Sequence, residues 1–344
     1  DALKPEQLQP RSARHTTGNK PTDVRLRGAE LYLLPVHTRV PLKFGTETLT
    51  SVTCARVRVV VEDRRGNLAS GWGETPLSVQ WVWPSEVPYS FRHQALTDFC
   101  EQLTSAWASF ELQGHAMEIG YEFQQRVLPE LLGGFNRNCS PAERMPHLAA
   151  LVCCSPFDIA LHDAYGKASG VGTYQTYTAE YMNRSLGDYL EPADDFQYDF
   201  TGKYPADFLS SQRKNRLPAW HLVGGLDPLD ASQLNGEQVD DDEPVLLNDW
   251  IERDGLTCLK VKLRGNDADW DYRRIVEVCR IAEPHGKYHL SADFNCTVTD
   301  PAYVNQILDR LRDEKPDYFD SILYVEQPFP YDLEANRIDV SEVA

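Results

Sequence analysis

The sequence predicts an α+β domain followed by an α/β domain of parallel β/α units, and three observations predict it. From Val24 to about Pro76, apolar residues recur at period two between turn residues, the pattern of an antiparallel meander. Between Phe91 and Gly170 the period becomes helical. From Leu217 onward, strands and helices alternate, with successive strand ends about 30 residues apart, the size of one β/α unit. Strands joined through helices run parallel, so the second half reads as a TIM-type barrel or a doubly wound sheet. At 344 residues the chain exceeds one typical domain, and its 42% hydrophobic content suffices for a core in each half.

Taken in order, residues 1–24 are polar, proline-bearing and aperiodic, a loose arm. Arg25–Pro35 and Val52–Glu62 read as strands, the second with Arg56, Arg58 and Val60 alternating against Val57, Val59 and Val61. Pro41-Leu42-Lys43-Phe44-Gly45 reads as a loop between them. Arg64-Arg65-Gly66-Asn67 reads as a hairpin turn into Leu68–Glu74. Phe91–Phe110 and Met117–Leu132 are helices, and Ser155-Pro156 is expected to open a third that ends at Gly170. These elements form one domain over residues 25–170. Residues 171–216, rich in Tyr, Asp and Pro, read as an insertion or linker, a loop that could lie over a site.

Residues 217–344 carry four expected strands, Leu217–Val223, Thr257–Leu263, Tyr288–Asn295 and Ile322–Gln327. Helices Val245–Arg253, Asp269–Ala282 and Pro301–Leu311 lie between them. The acidic run Glu237–Glu243 reads as a solvated loop rather than a metal cage.

A formal net charge of −18 argues against nucleic acid or an anionic membrane as partner. No apolar run approaches the roughly 18 residues of a membrane span. Eight cysteines without CxxC or zinc spacing read as reduced, mostly buried thiols of a cytoplasmic protein. No phosphate-binding glycine loop, nucleophile elbow or kinase signature is present.

The chemistry concentrates at strand ends. Lys260 and Lys262 alternate with Leu259, Val261 and Leu263, so both ammonium groups share one face of a strand. Two adjacent cations need counter-charge there. Asp293 and Glu326 end the next two strands and can supply it. Functional groups of parallel α/β folds cluster at these C-terminal strand ends. Asp293 and Glu326 are hard oxygen ligands suited to Mg²⁺; the alternative is a plain ion-pair network with the lysines. His289, Trp72, Glu74, Asp158, His162 and Asp163 read as structural residues.

Lys260-x-Lys262, Asp293-x-Asn295 and Glu326-Gln327-Pro328 resemble the enolase superfamily in its mandelate racemase/muconate lactonizing enzyme branch. Gly71-Trp72-Gly73-Glu74 and Asp158–Ala164 resemble that family's capping domain. The resemblance implies an α+β capping domain and a (β/α) TIM-type barrel, of which four units precede Ala344, so the barrel is expected to be incomplete. It implies Mg²⁺, or Mn²⁺, on Asp293 and Glu326, with the third ligand and the opposing acid or base outside these residues. It implies Lys262 as the base that removes a proton α to a carboxylate, giving an enediolate, and Lys260 as its partner. Asn295, Lys43 and Phe44 are expected to contact substrate. The outcome would be racemisation or epimerisation, cycloisomerisation or dehydration of a small carboxylate by a homo-oligomeric enzyme. A relative that keeps the fold as a non-catalytic binding or structural module is the alternative.

Overall fold

The computed structural model describes residues 18–44, 47–192, 198–210, 212, 214–234, 236, 241–330 and 336–343. The chain divides into two compact units, Asp1–Val36 with Val52–Ser211, and His37–Ser51 with Gln212–Ala344.

Period-two alternation builds the first sheet, of order β3–β2–β1–β4, from β1 (Val24–Phe44), β2 (Glu47–Asp63), β3 (Leu68–Pro76) and β4 (Gln113–Gly114). Val57, Val59 and Val61 are fully buried on one face of β2, while Arg56 and Arg58 on the other pair with Glu74 and Glu30. The β2–β3 turn forms as expected: Asp63 accepts from the backbone of Arg65 and Asn67, both at 2.8 Å, and Gly66 takes φ +85°. Pro41–Phe44 does not form the expected loop. Strand β1 runs to Phe44, and β2, its neighbour in the sheet, begins at Glu47; Gly45 lies outside the described residues. The side chains of Lys43 and Phe44 lie outside the described residues.

The helices of this unit are α1 (Val79–Val82), α2 (Tyr89–Ala108), α3 (Ala116–Glu122), α4 (Leu128–Asn136) and α5 (His147–Ser169). Leu96, Phe99, Leu103 and Trp107 of α2 are buried along one stripe, and Trp107 stacks on Phe123 at 3.9 Å. The single helix expected over Met117–Leu132 is interrupted by a π turn, Phe123–Val127, just before Pro129. A proline cannot donate to the preceding turn, and the wider turn accommodates it.

Helix α5 departs furthest from expectation. It begins at His147, so Pro156 is an interior residue and not the helix opener. Pro156 cannot donate to the Val152 carbonyl; the Ser155 hydroxyl does so instead, at 2.8 Å. The dipeptide that looks like a helix start is thus a proline with its replacement donor beside it. The helix ends where expected, at Gly170 with φ +67°. Trp72 donates its backbone N–H to Asp163 at 2.9 Å, so Asp163 is structural, as read from the sequence.

The described part of 171–210 belongs to this unit and is tied to it by polar contacts. Tyr177 meets His162 at 3.0 Å, Thr176 meets His115 at 3.1 Å, and Arg184 pairs with buried Glu122 at 2.7 Å. Buried Glu118 accepts from the Asn183 and Arg184 backbones.

In the second unit, β5 (Trp220–Val223), β6 (Cys258–Lys262), β7 (His289–Asp293) and β8 (Ile322–Glu326) form a parallel sheet in chain order. Helices α6 (Leu247–Asp254), α7 (Ala268–Ala282), α8 (Pro301–Glu314) and α9 (Pro316–Ser321) alternate with them. Asp300 caps α8 by accepting from Ala302, with Pro301 in the first turn. Leu259, Val261, Leu290 and Ala292 pack with Ile251, Ile275, Val278 and Ile307 in one core. On the opposite face, Trp220 and Tyr324 bring their rings to 5.8 Å although their strands are the two outer ones. That face is therefore concave. Among the described residues the sheet has four strands and is not a closed barrel.

The eight cysteines are free and six are buried, in accord with thiols acting as small hydrophobes. Among the described residues no helix is long and apolar enough to cross a membrane. Asp241 of the acidic run pairs with Arg39 at 2.6 Å, and Glu243 pairs with Arg253; residues 237–240 lie outside the described ones.

Two glycines give a test of how α5 seats on β3. A Cβ on Gly71 would lie 2.2 Å from Ala160 O and Ala164 N, and one on Gly73 would lie 2.1 Å from Pro156 O. Gly71→Ala should cost about 1–3 kcal/mol of unfolding free energy in a denaturant titration, because a helix backbone must move. Gly134→Ala, in α4 with open space around its Cβ position, should instead gain about 0.5–1 kcal/mol.

Candidate active site

Strand period and parallel register assemble the site from residues distant in sequence. Val261 turns into the helix-covered core, so Lys260 and Lys262 leave β6 on the concave face. Register then aligns Lys262 with Asp293, and Asp293 with Glu326. Three functional side chains thus stand side by side at three C-terminal strand ends.

The contacts are direct. Asp293 Oδ2 accepts from Lys262 Nζ at 2.5 Å and lies 3.0 Å from Lys260 Nζ. Lys260 Nζ also donates to Glu326 Oε1 at 2.6 Å, so one ammonium lies between two carboxylates. Lys262 Nζ donates to Asn295 Oδ1 at 2.7 Å as well. Asp293 Oδ1 accepts the Asn295 backbone N–H at 2.8 Å, and Asn295 Nδ2 donates to Leu263 O at 3.0 Å. Asn295 therefore anchors the lysine end of the cluster.

Asp293 is 1% exposed and Lys262 7%. Burial alone would raise the Asp293 pKa, but the hydrogen bond and charge of Lys262, the Asn295 N–H and Lys260 together hold it below the usual carboxylate range. Burial pulls the Lys260 pKa down, and Glu326 and Asp293 outweigh it, leaving a raised value.

The backbone is strained at the same place. Asn295, Cys296 and Gln327 have φ of +55°, +59° and +40°, in the left-handed region that non-glycine residues rarely enter. They lie within three residues of the strand ends carrying Asp293 and Glu326. Such strain concentrates at functional sites, where surrounding structure holds it. Phe294 N to Glu326 O at 3.2 Å and Cys296 N to Gln327 O at 2.7 Å hold it here.

A cavity of about 100 Å³ opens on the cluster, lined by Lys262, Asn295, Gly225, Leu226, Arg264 and Asn266. Sequence reading missed Arg264, Gly225 and Leu226. Arg264 lies two residues past Lys262 at a strand end, a position that could have drawn notice. Nothing in the sequence brings Gly225 and Leu226, after β5, to the same cavity.

The donor set fits a hard divalent cation in part. Asp293 and Glu326 converge on one point, and the group there is itself a cation, the Lys260 ammonium. Mg²⁺ accepts one or two carboxylates and keeps water on its other positions. Among the described residues no group of three or more His, Cys, Asp or Glu side chains converges to hold a metal. His289 sits half-buried at the start of β7, and its Nδ1 has no hydrogen-bond partner among the described residues.

No protein-family model and no curated protein sequence matches the chain. Solved structures do. An enolase from Bradyrhizobium complexed with magnesium and mandelic acid aligns over 93% of this chain and 64% of its own, at 16% identity and TM-score 0.53. The L-Ala-D/L-Glu epimerase from Bacillus subtilis, in a substrate-liganded complex, aligns over 91% of this chain and 64% of its own, at 18% identity and TM-score 0.52. The L-talarate/galactarate dehydratase from Salmonella typhimurium, liganded with Mg and L-lyxarohydroxamate, aligns over 91% and 61%, at 15% identity and TM-score 0.52. The chain spans less than two thirds of the length of each. These structure neighbours are enolase-superfamily proteins, and this chain shares their fold over most of its length.

Proposed function

We propose that the chain carries part of an enolase-superfamily active site, a Mg²⁺-dependent isomerase or lyase that removes a proton α to a carboxylate. The observation that supports this most is the junction of Lys260, Lys262, Asp293 and Glu326 at adjacent parallel strand ends. An α-proton is weakly acidic, so a base must be poised beside groups that stabilise the resulting negative charge. In this reading Lys262, as neutral amine, takes the proton. Asn295, bonded to its Nζ, fixes the direction of that amine. Lys260 offers its ammonium to a carboxylate oxygen of the substrate. Asp293 and Glu326 would hold Mg²⁺, which supplies Lewis-acid stabilisation of developing charge. Mn²⁺ would serve the same ligands. Racemisation, epimerisation, cycloisomerisation and dehydration share this first step.

A second reading has a specific observation behind it. The two lysines and two carboxylates already satisfy one another, as in a module that keeps the fold without the chemistry. Lys260 lies between the two carboxylates and offsets their mutual repulsion without a metal.

Lys262→Ala should abolish exchange of a carboxylate substrate's α-proton with deuterated solvent, followed by proton NMR. The loss should be about 10²–10⁴-fold or more, with Mg²⁺ affinity retained. Near wild-type exchange in the variant would place the base elsewhere.

Asp293→Asn separates the two readings. Without metal it leaves the Lys262 charge buried beside a neutral amide, at a cost of about 3–5 kcal/mol at neutral pH. A depressed folded-state pKa means that the Asp293 contribution is present above its unfolded value, about pH 4. It is lost as pH falls through the lower folded value, so the wild-type and variant stabilities should converge below about pH 4. In thermal melts, added Mg²⁺ should raise the midpoint of the wild type and not of Asp293→Asn. Melts of both proteins that ignore Mg²⁺ and chelator alike would favour the non-catalytic module.

A further inference from the structure

Beside the catalytic cluster lies a second, larger cleft of about 340 Å³ whose chemistry the proton-transfer step does not use. It shares Gly225, Leu226 and Arg264 with the cavity at Lys262, so the two spaces adjoin along one wall. Its other determinants are Arg274 and Trp270 of α7. The Arg264 guanidinium lies 3.9 Å from the centre of the Trp270 ring, and that of Arg274 lies 5.8 Å from it. Two guanidinium groups thus flank one indole at the wall of one cleft.

Neither arginine forms an ion pair among the described residues, although the chain carries 52 acidic residues against 34 basic ones. Elsewhere arginines such as Arg184, Arg253 and Arg310 have found carboxylates. Arg274 is 8% exposed; its Nη2 donates to the carbonyls of Gly224 and Asp227, and its Nε is buried with no hydrogen-bond partner. A buried cation with donor capacity to spare is costly unless something meets it. Asp227 also lines the cleft, but its Oδ2 accepts the Gly224 N–H at 2.6 Å and no ion pair with Arg274 forms.

The mount of Arg264 is rigid. Its N–H and that of Gly265 donate to the two oxygens of buried Asp271 at 2.8 and 2.9 Å, and its carbonyl accepts from Thr297 at 3.0 Å. Gly265 sits at φ +70° against Thr297, leaving no room for a side chain. The backbone is clamped on both sides, while the side chain makes no hydrogen bond among the described residues and lies on the indole face. Such an arrangement holds a guanidinium fork ready for a planar or tetrahedral oxyanion.

We infer that the cleft between Arg264 and Arg274 is a subsite for a second oxyanion of the substrate, a carboxylate or a phosphate remote from the reacting carboxylate. As a substrate subsite it rests on the reaction proposed above; as an anion site it stands on the arginines alone.

Equilibrium binding to the full chain tests it without relying on turnover. Glutarate and 4-phosphobutanoate, each measured by calorimetry against butyrate, are the probes. At least one dianion should bind about tenfold or more tighter than butyrate, and the stronger of the two names the oxyanion. Arg264→Gln should reduce that ratio to about one, and Arg264→Lys should keep part of it. Equal binding of all three probes by the wild type would overturn the subsite, as would a ratio that survives Arg264→Gln. A preserved ratio in a chain that shows no α-proton exchange would sink the reaction and leave the anion site standing.

Discussion

Two ammonium groups one residue apart on the same face of a strand set the central constraint of the second unit. Exposed, they would only repel; buried, each demands a counter-charge and a full set of acceptors. The sheet meets the demand through parallel register, which brings Asp293 and Glu326 level with Lys262 from the next two strands. Curvature completes it, because Lys260 on β6 reaches Glu326 on β8 across the intervening strand. The apolar side of the same strands does the opposite work. Leu259, Val261, Leu290 and Ala292 bury against the helices and leave the concave face free for charge.

This balance explains why the cluster reads both as a scaffold and as a reaction centre. An ammonium held between two carboxylates is the arrangement a divalent cation would replace. Backbone strain at Asn295, Cys296 and Gln327 argues for the reaction centre, since an ion-pair network alone needs no left-handed residues. The arginine-lined cleft next door extends the same logic. Arg264 and Arg274 form no ion pair among the described residues, and both line a cleft where a substrate could supply the missing charge.

The first unit is organised by close approach rather than by charge. Gly71 and Gly73 let β3 lie almost directly on the backbone of α5, closer than any side chain permits. Helix α5 stays continuous at that contact despite Pro156, because Ser155 replaces the lost donor. The segment after α5 is bound back by buried carboxylates of α3, Glu118 and Glu122, which accept from Asn183 and Arg184. The segment shows no periodicity, so its attachment is set by long-range contacts such as these.

What the sequence determined by itself follows from local rules. Alternation in Arg56–Val61, the helical stripe from Leu96 to Trp107, the glycine stop at Gly170 and the β/α spacing after Leu217 each depend on neighbours within a few residues. The pairing of Lys260 and Lys262 on one face, and the carboxylates at two later strand ends, were legible for the same reason. Tertiary structure decided the rest. Pro156 looked like a helix start because the i−4 carbonyl it vacates is silent in sequence, and the interruption at Phe123–Val127 is equally silent. The loop expected at Pro41–Phe44 is strand, in a β1 that neighbours β2 in the sheet. Arg264 and Arg274 meet only through the packing of α7 against the β5 and β6 ends, and the concavity that joins Lys260 to Glu326 is a property of four strands together. Periodicity reports which face a residue takes; distance between residues far apart in the chain is set by register, twist and packing, which no single segment encodes.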